Sequence, residues 1–148
     1  VHVRAWRAAY AGILPDELLA ALSVERRTAS WRDLLARADQ VTLLVEEGGS
    51  IAGFCSLSAG EVTALYVDPA RWRHGLGGTL LREALTAAGE DRDPVVWVLR
   101  ANEAAIRFYE QFGFVLDGAE KRVPVGPEGA QAEPLQVRLR LRRAAPGG

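Results

Sequence analysis

The chain has 148 residues, 49% of them hydrophobic and 25% charged, with a formal net charge of -1. That length suits one domain with its own core, and a single domain over residues 1–148 is expected. No apolar run approaches the roughly 18 residues that span a bilayer, and the charge lacks the basic excess of a nucleic-acid binder, so neither membrane nor nucleic acid is an expected partner.

Cys55 is the only cysteine, which leaves no intramolecular disulfide and no cysteine-based zinc site. No metal site is expected, and the cytoplasm is the expected compartment. The strand-like setting "IAGFCSLS" makes Cys55 a small apolar filler, since nothing beside it supplies the electropositive surroundings a reactive thiolate needs. The sequence contains no Met and opens on Val1 inside an amphipathic helix, so the natural start is expected to be missing.

Residues 1–38 read as helices, with Trp6, Ala9, Tyr10 and Ile13 at helical spacing and Pro15 opening a second segment at its first turn. Three strand-like runs follow, "QVTLLVEE", "SIAGFCSLS" and "EVTALYVD", separated by "GGS" and "AG". An antiparallel meander is the natural pairing. A glycine turn leads next into a helix with Leu76, Leu80, Ala84, Leu85 and Ala88 on one face, then the strand "DPVVWVL" and a helix from Asn102 to Gly113. Asn102 suits that helix's N-cap and Gly113 its exit. The strand "FVLDG", a Pro/Gly-rich connection over 124–134 and the strand "LQVRLRLR" complete the chain. Strict alternation puts Val137, Leu139 and Leu141 on one face of that last strand and Arg138, Arg140 and Arg142 on the other. The arginine row reads either as a site for an acidic partner or as a solvated, charge-protected face. Together these elements predict an α+β (mixed α/β) domain around a mostly antiparallel sheet.

The turn "RWRHGLGGT" carries the chemistry. A P-loop needs G-x-x-x-x-G-K-[ST], and the only lysine is Lys121. A dinucleotide fingerprint needs a third glycine where Leu80 stands. What remains is a run of backbone N–H groups, from about Trp72 to Thr79, entering the positive end of a helix. Gly75, Gly77 and Gly78 keep side chains out of an anion's way, and Arg71, Arg73 and His74 ring it with charge. The competing reading is a tight turn whose glycines serve packing alone.

A second motif favours the anion. "VLRANEAAIRFYEQFGF" sets Ala105, Phe108, Tyr109 and Phe112 along one helix face behind Asn102. The two motifs together resemble the GCN5-related N-acetyltransferase (GNAT) superfamily, which pairs an [RQ]-x-x-G-x-[GA] loop with an N-x-x-A-x-x-x-Y-x-x-x-G-F helix. Asn102, Ala105, Tyr109, Gly113 and Phe114 match the helix motif throughout. Gly75 and Gly77 match the loop, and Trp72 departs from it. The resemblance covers about Gln40 to Arg142. It implies a twisted sheet splayed at the family's fourth strand, here "EVTALYV", with the family's first strand absent from this chain.

The resemblance also implies a function. The expected activity is acetyl-CoA-dependent transfer of an acetyl group to a primary amine, small-molecule or peptide, by direct attack in a ternary complex. In that reading the amides of Leu65, Tyr66 and Val67 hold the thioester and pantetheine. The diphosphate falls to the loop from Trp72, Arg73 and His74 through Gly75, Gly77, Gly78 and Thr79, with Asn102 and Tyr109 completing the cofactor site. Tyr109 protonates the leaving thiolate. Glu61, at the start of its strand, stands where some members carry a carboxylate base. An amine of pKa about 10.4 costs about 4.6 kcal/mol to deprotonate at pH 7, so a base is useful. The alternative is a non-catalytic acyl-CoA-binding sensor or regulatory module. A homodimer is the default oligomer.

Overall fold

The computed structural model describes residues 1–89 and 93–142; the expected domain end at residue 148 lies outside the described residues. Three helices come first: α1 (His2–Ala9), α2 (Asp16–Ala20) and α3 (Val24–Leu35). Pro15 stands at the N-cap of α2, with φ -56° and ψ 140°, one position before the first turn expected for it. Ser23 caps α3 by accepting from the amide of Arg26, a contact worth about 1 kcal/mol.

β1 (Gln40–Glu47), β2 (Ser50–Ser58) and β3 (Glu61–Val67) form the expected antiparallel meander. Gly48 and Gly49 turn the first hairpin with positive φ at both positions, the geometry that matches strand twist. A short 3-10 turn, Pro69–Arg71, then leads to α4 (Leu76–Ala88), β4 (Val95–Leu99), α5 (Glu103–Gln111), β5 (Phe114–Arg122) and β6 (Leu135–Leu141). The six strands lie in the order β1-β2-β3-β4-β6-β5. Every neighbouring pair is antiparallel except β3 and β4. The fold is therefore the mixed α/β type expected, with helices on both sides of a mostly antiparallel sheet.

β5 is longer than "FVLDG" suggests. Its pairing with β6 breaks between Leu116 and Glu120 and resumes through Arg122. The bulge turns Asp117 towards β6, where it takes Arg138 at 2.5 Å and Arg140 at 3.6 Å. Two arginines of the row, Arg138 and Arg140, thus share one carboxylate within the sheet. The amide of Ala119 and the two guanidiniums hold Asp117 below the usual carboxylate range.

One sheet face packs Val62, Val96, Val98, Val137, Leu139 and Leu141 against Leu80, Leu81 and Ala84 of α4 and Tyr109 of α5. Leu99, on the opposite face, packs with Val3, Leu14, Leu18, Leu19 and Leu22 from the opening helices. Between these layers the sheet opens. β3 and β4 pair only at Glu61↔Val95 and Val62↔Val96, so β3 runs from Thr63 to Val67 with no ladder on its β4 side. A register shift opposite Ser56 and Leu57 marks the departure point.

Candidate active site

The opening between β3 and β4 leads into a cavity of about 930 Å³ that reaches from α1 to the glycine turn. The register decides which β3 amides look into it. Asp68 N donates to Ala52 O, and Phe54 opposes Tyr66 two residues on. Alternation then turns Ala64 and Tyr66 towards β2 and frees Leu65 and Val67 on the β4 side. Of the three residues expected to donate amides there, the backbone of Tyr66 is engaged with β2. Its ring instead joins an aromatic cluster under α1.

At the glycine turn, six consecutive amides, Arg73 through Gly78, have no acceptor among the described residues. Arg73 and Gly75 both hold positive φ, 69° and 76°, around His74, and alternation of this kind bends successive N–H groups into an anion-binding nest. Gly75 is also the N-cap of α4 and offers no side-chain cap, so the first-turn donors stay open at the positive end of the helix dipole. A Cβ on Gly77 would meet only ring carbons of Phe108 at 3.6 Å and Val67 at 3.9 Å. Packing alone therefore leaves room for a Cβ at that position.

The rim residues divide. Arg71 is committed to the β1–β2 hairpin, donating to Glu47 O at 2.6 Å and Ser50 Oγ at 2.7 Å, and it pins the turn rather than supplying free charge. His74 meets Glu47 Oε1 at 3.1 Å and does not line the cavity. Thr79 also lies off the cavity wall, with its hydroxyl returned to Gly75 O. Trp72, the departure from the loop motif, donates its indole N–H to Val67 O at 2.9 Å, tying the turn to the end of β3. Arg73 lines the cavity and has no ion-pair partner among the described residues.

α5 closes the other wall. Asn102 caps it by accepting from the amide of Ala105 at 3.2 Å, which commits the side-chain oxygen and leaves the NH₂ group for a ligand. Tyr109, 6% exposed, packs edge-on to Phe108 and Phe114, and its hydroxyl makes no hydrogen bond among the described residues. Burial, with Cys55 and Tyr66 nearby, drives its pKa well above the ordinary value. The group is neutral at physiological pH and able to donate. Cys55, beneath it, is fully buried and pushed up to about 12 by burial, as an apolar filler should be.

Glu61 lines the cavity beside the last β3–β4 pair and has no side-chain partner among the described residues. Tyr10, Tyr66 and Tyr109, all three tyrosines of the sequence, line the same cavity, and burial raises the pKa of each. The sequence leaves Tyr10, with His2 and Trp6, either lining an acceptor pocket or packed on the sheet as one helix face, and it gives the Tyr66 ring no role, because only the fold brings α1 onto β3. His2 lies behind this wall, stacked on Tyr66 at 4.9 Å between centroids and accepting from Trp31 Nε1. Burial, helped by Arg27, lowers its pKa to about 3. Its place is in the packed helix face, whereas Trp6 and Tyr10 reach the cavity. No group of three metal-ligating side chains occurs among the described residues, and no described helix is long and apolar enough to cross a membrane.

Comparison with known proteins agrees with this geometry. A model of the acetyltransferase (GNAT) family matches residues 5–114. The chain is 30% identical over 157 residues to a probable N-acetyltransferase of Mycobacterium tuberculosis, covering 100% of this chain and 88% of that protein. It is 35% identical over 92 residues to a mycothiol acetyltransferase of Acidimicrobium ferrooxidans, covering 55% of this chain but 30% of that longer protein. Its fold matches the crystal structure of PaiA N-acetyltransferase from Thermoplasma acidophilum in complex with coenzyme A, with a TM-score of 0.69 and 21% identity over 93% of this chain and 87% of the other. With the helix motif intact at Asn102, Ala105, Tyr109, Gly113 and Phe114 and the sheet splayed beside an open amide turn, the chain belongs to the acetyltransferase (GNAT) family.

Proposed function

We propose that this chain moves the acetyl group of acetyl-CoA to a primary amine by direct attack, with both substrates bound in the cleft between β3 and β4. The observation that carries the reading is the run of six open amides from Arg73 to Gly78 at the start of α4. Such a run fits a diphosphate, whose oxygens accept hydrogen bonds and carry the charge that the helix end favours.

Acetyl-CoA, when bound, supplies an acetyl group activated as a thioester. Leu65 and Val67 present amides along the free edge of β3 and stabilise negative charge developing on the carbonyl oxygen. Asn102 offers its NH₂ group to the pantetheine arm while its oxygen holds α5. Glu61 takes a proton from the acceptor's ammonium, directly or through a water, and the amine so freed attacks the thioester carbon, forming the C–N bond as the C–S bond breaks. Tyr109, kept neutral by burial, gives its proton to the departing sulfur. An unpartnered hydroxyl on a buried ring supports catalysis over mere binding, since a binding module has no need of it.

The test is single-turnover acetylation, read as release of free CoA with a panel of amines, in the wild type and in Tyr109→Phe. Loss of a general acid is expected to lower the rate about 10²- to 10⁴-fold with acetyl-CoA affinity nearly unchanged. An unaltered rate removes Tyr109 from the chemistry.

A further inference from the structure

We propose that the acceptor is an amine that also carries a carboxylate several bonds from its nitrogen, and that Lys121 and Gln136 hold that carboxylate. The inference rests on the acetyl-transfer reading above and extends it to the other substrate.

The register assembles the pair. Lys121 on β5 lies directly opposite Gln136 on β6, and Gln136 lies opposite Leu99 on β4. Residues opposite one another project from the same sheet face, and Trp97, two before Leu99, shares that face. Lys121 Nζ stands 4.2 Å over the Trp97 ring. All three side chains line the cavity that continues to the glycine turn.

Apart from the contact of Lys121 with the Trp97 ring, neither polar group has an ion-pair or hydrogen-bond partner among the described residues. The nearby carboxylate of Asp117 is taken by Arg138 and Arg140, and Lys121 has no ion-pair partner among the described residues. Gln136 is 9% exposed, yet its side-chain amide makes no hydrogen bond among the described residues. Its amide is not sealed inside the protein but opens on the cavity, where it is available to a ligand. An ammonium and an amide NH₂ on one cavity wall are both donors, and a carboxylate accepts from both and complements the charge.

The charges along the wall also select against a polyamine. Among the described residues Glu61 is the one carboxylate lining the cavity, and a second ammonium further along would meet Lys121. Spacing sets the length of the acceptor. Glu61 pairs with Val95, two residues from Trp97, which puts Glu61 and Trp97 about 8 Å apart between Cα atoms. Because Lys121 reaches in from β5 to set its ammonium over Trp97, an amine at Glu61 and a carboxylate at Lys121 are further apart than in an α-amino acid and fit an ω-amino acid or a short peptide.

The decisive comparison is 5-aminopentanoate against pentylamine, which lacks only the carboxylate, with spermidine as a third acceptor. Wild type is expected to favour 5-aminopentanoate about 10- to 100-fold in kcat/KM, chiefly through KM, as one charge-assisted contact provides. Lys121→Met is expected to collapse that ratio towards one, Gln136→Leu to reduce it, and Lys121→Arg to keep it. Equal or better use of pentylamine or spermidine by the wild type overturns the proposal. An unchanged ratio in Lys121→Met also does so, as does failure to acetylate 5-aminopentanoate and glycylglycine by a protein that still binds acetyl-CoA. Failure to bind acetyl-CoA at all sinks the acetyl-transfer reading first, and this one with it.

Discussion

At the scale of single residues, two glycines of the turn separate strain from ligand access. Gly75 has φ 76°, so Gly75→Ala forces a side chain into the left-handed region at about 1 to 2 kcal/mol, readable as a lower urea midpoint. Gly77 sits inside α4 with only ordinary contacts awaiting a Cβ. Gly77→Ala, which adds only that Cβ, is expected to leave the melting temperature within about 4 °C while raising the acetyl-CoA dissociation constant about tenfold or more, a loss near 1.4 kcal/mol. Calorimetric titration decides, and undiminished affinity in Gly77→Ala means the diphosphate lies elsewhere. These positions were legible because a glycine-rich strand-to-helix turn has few chemical uses. The division of labour around them was not: Arg71 and His74 look alike in sequence as rim charges, and only the β1–β2 hairpin folding alongside reveals that both are held by Glu47.

Elements were legible where local chemistry dictates them. The double-glycine turn set the first hairpin, and Asn102 and Gly113 set the ends of α5, with Gly113 at φ 93°. β5 was underread, because Gly118 looks like a strand terminus and is instead part of a bulge after which pairing resumes at Glu120. α5 offers a clean test of one residue with two jobs. Asn102→Asp keeps the oxygen that caps the helix and removes the NH₂ donors, so stability is expected to hold while acetyl-CoA affinity falls. Asn102→Ala loses both, with a stability cost of about 1 kcal/mol. Equal affinity in the wild type and Asn102→Asp would show that the amide nitrogen does not touch the ligand.

On the scale of the whole molecule, the cleft is a product of topology. α1, β3 and α5 are far apart in the chain, and their tyrosines meet because β3 parts from β4 after two residue pairs. No spacing rule in a sequence reports that convergence, which is why Tyr10, Lys121 and Gln136 carried no signal as a group. The shared burial has a consequence for pH. Each tyrosine is raised above its ordinary 10.0, so the folded state holds these protons more tightly than the unfolded chain does. Their contribution to stability is complete below pH 10 and is lost as pH climbs through the folded values. Tyrosinate absorbance is therefore expected to appear together with the loss of far-ultraviolet circular dichroism, and ionisation of the tyrosines near pH 10 in a still-folded protein would contradict their burial. The central claim is that the open amides at the start of α4 receive the diphosphate of acetyl-CoA, and thermal unfolding against acetyl-CoA, with ATP and NAD as controls, tests it most directly. Saturation at about 100 times the dissociation constant should add about 2.7 kcal/mol of stability with acetyl-CoA and little with either control, whereas no shift with acetyl-CoA, or equal shifts with all three, would contradict the account.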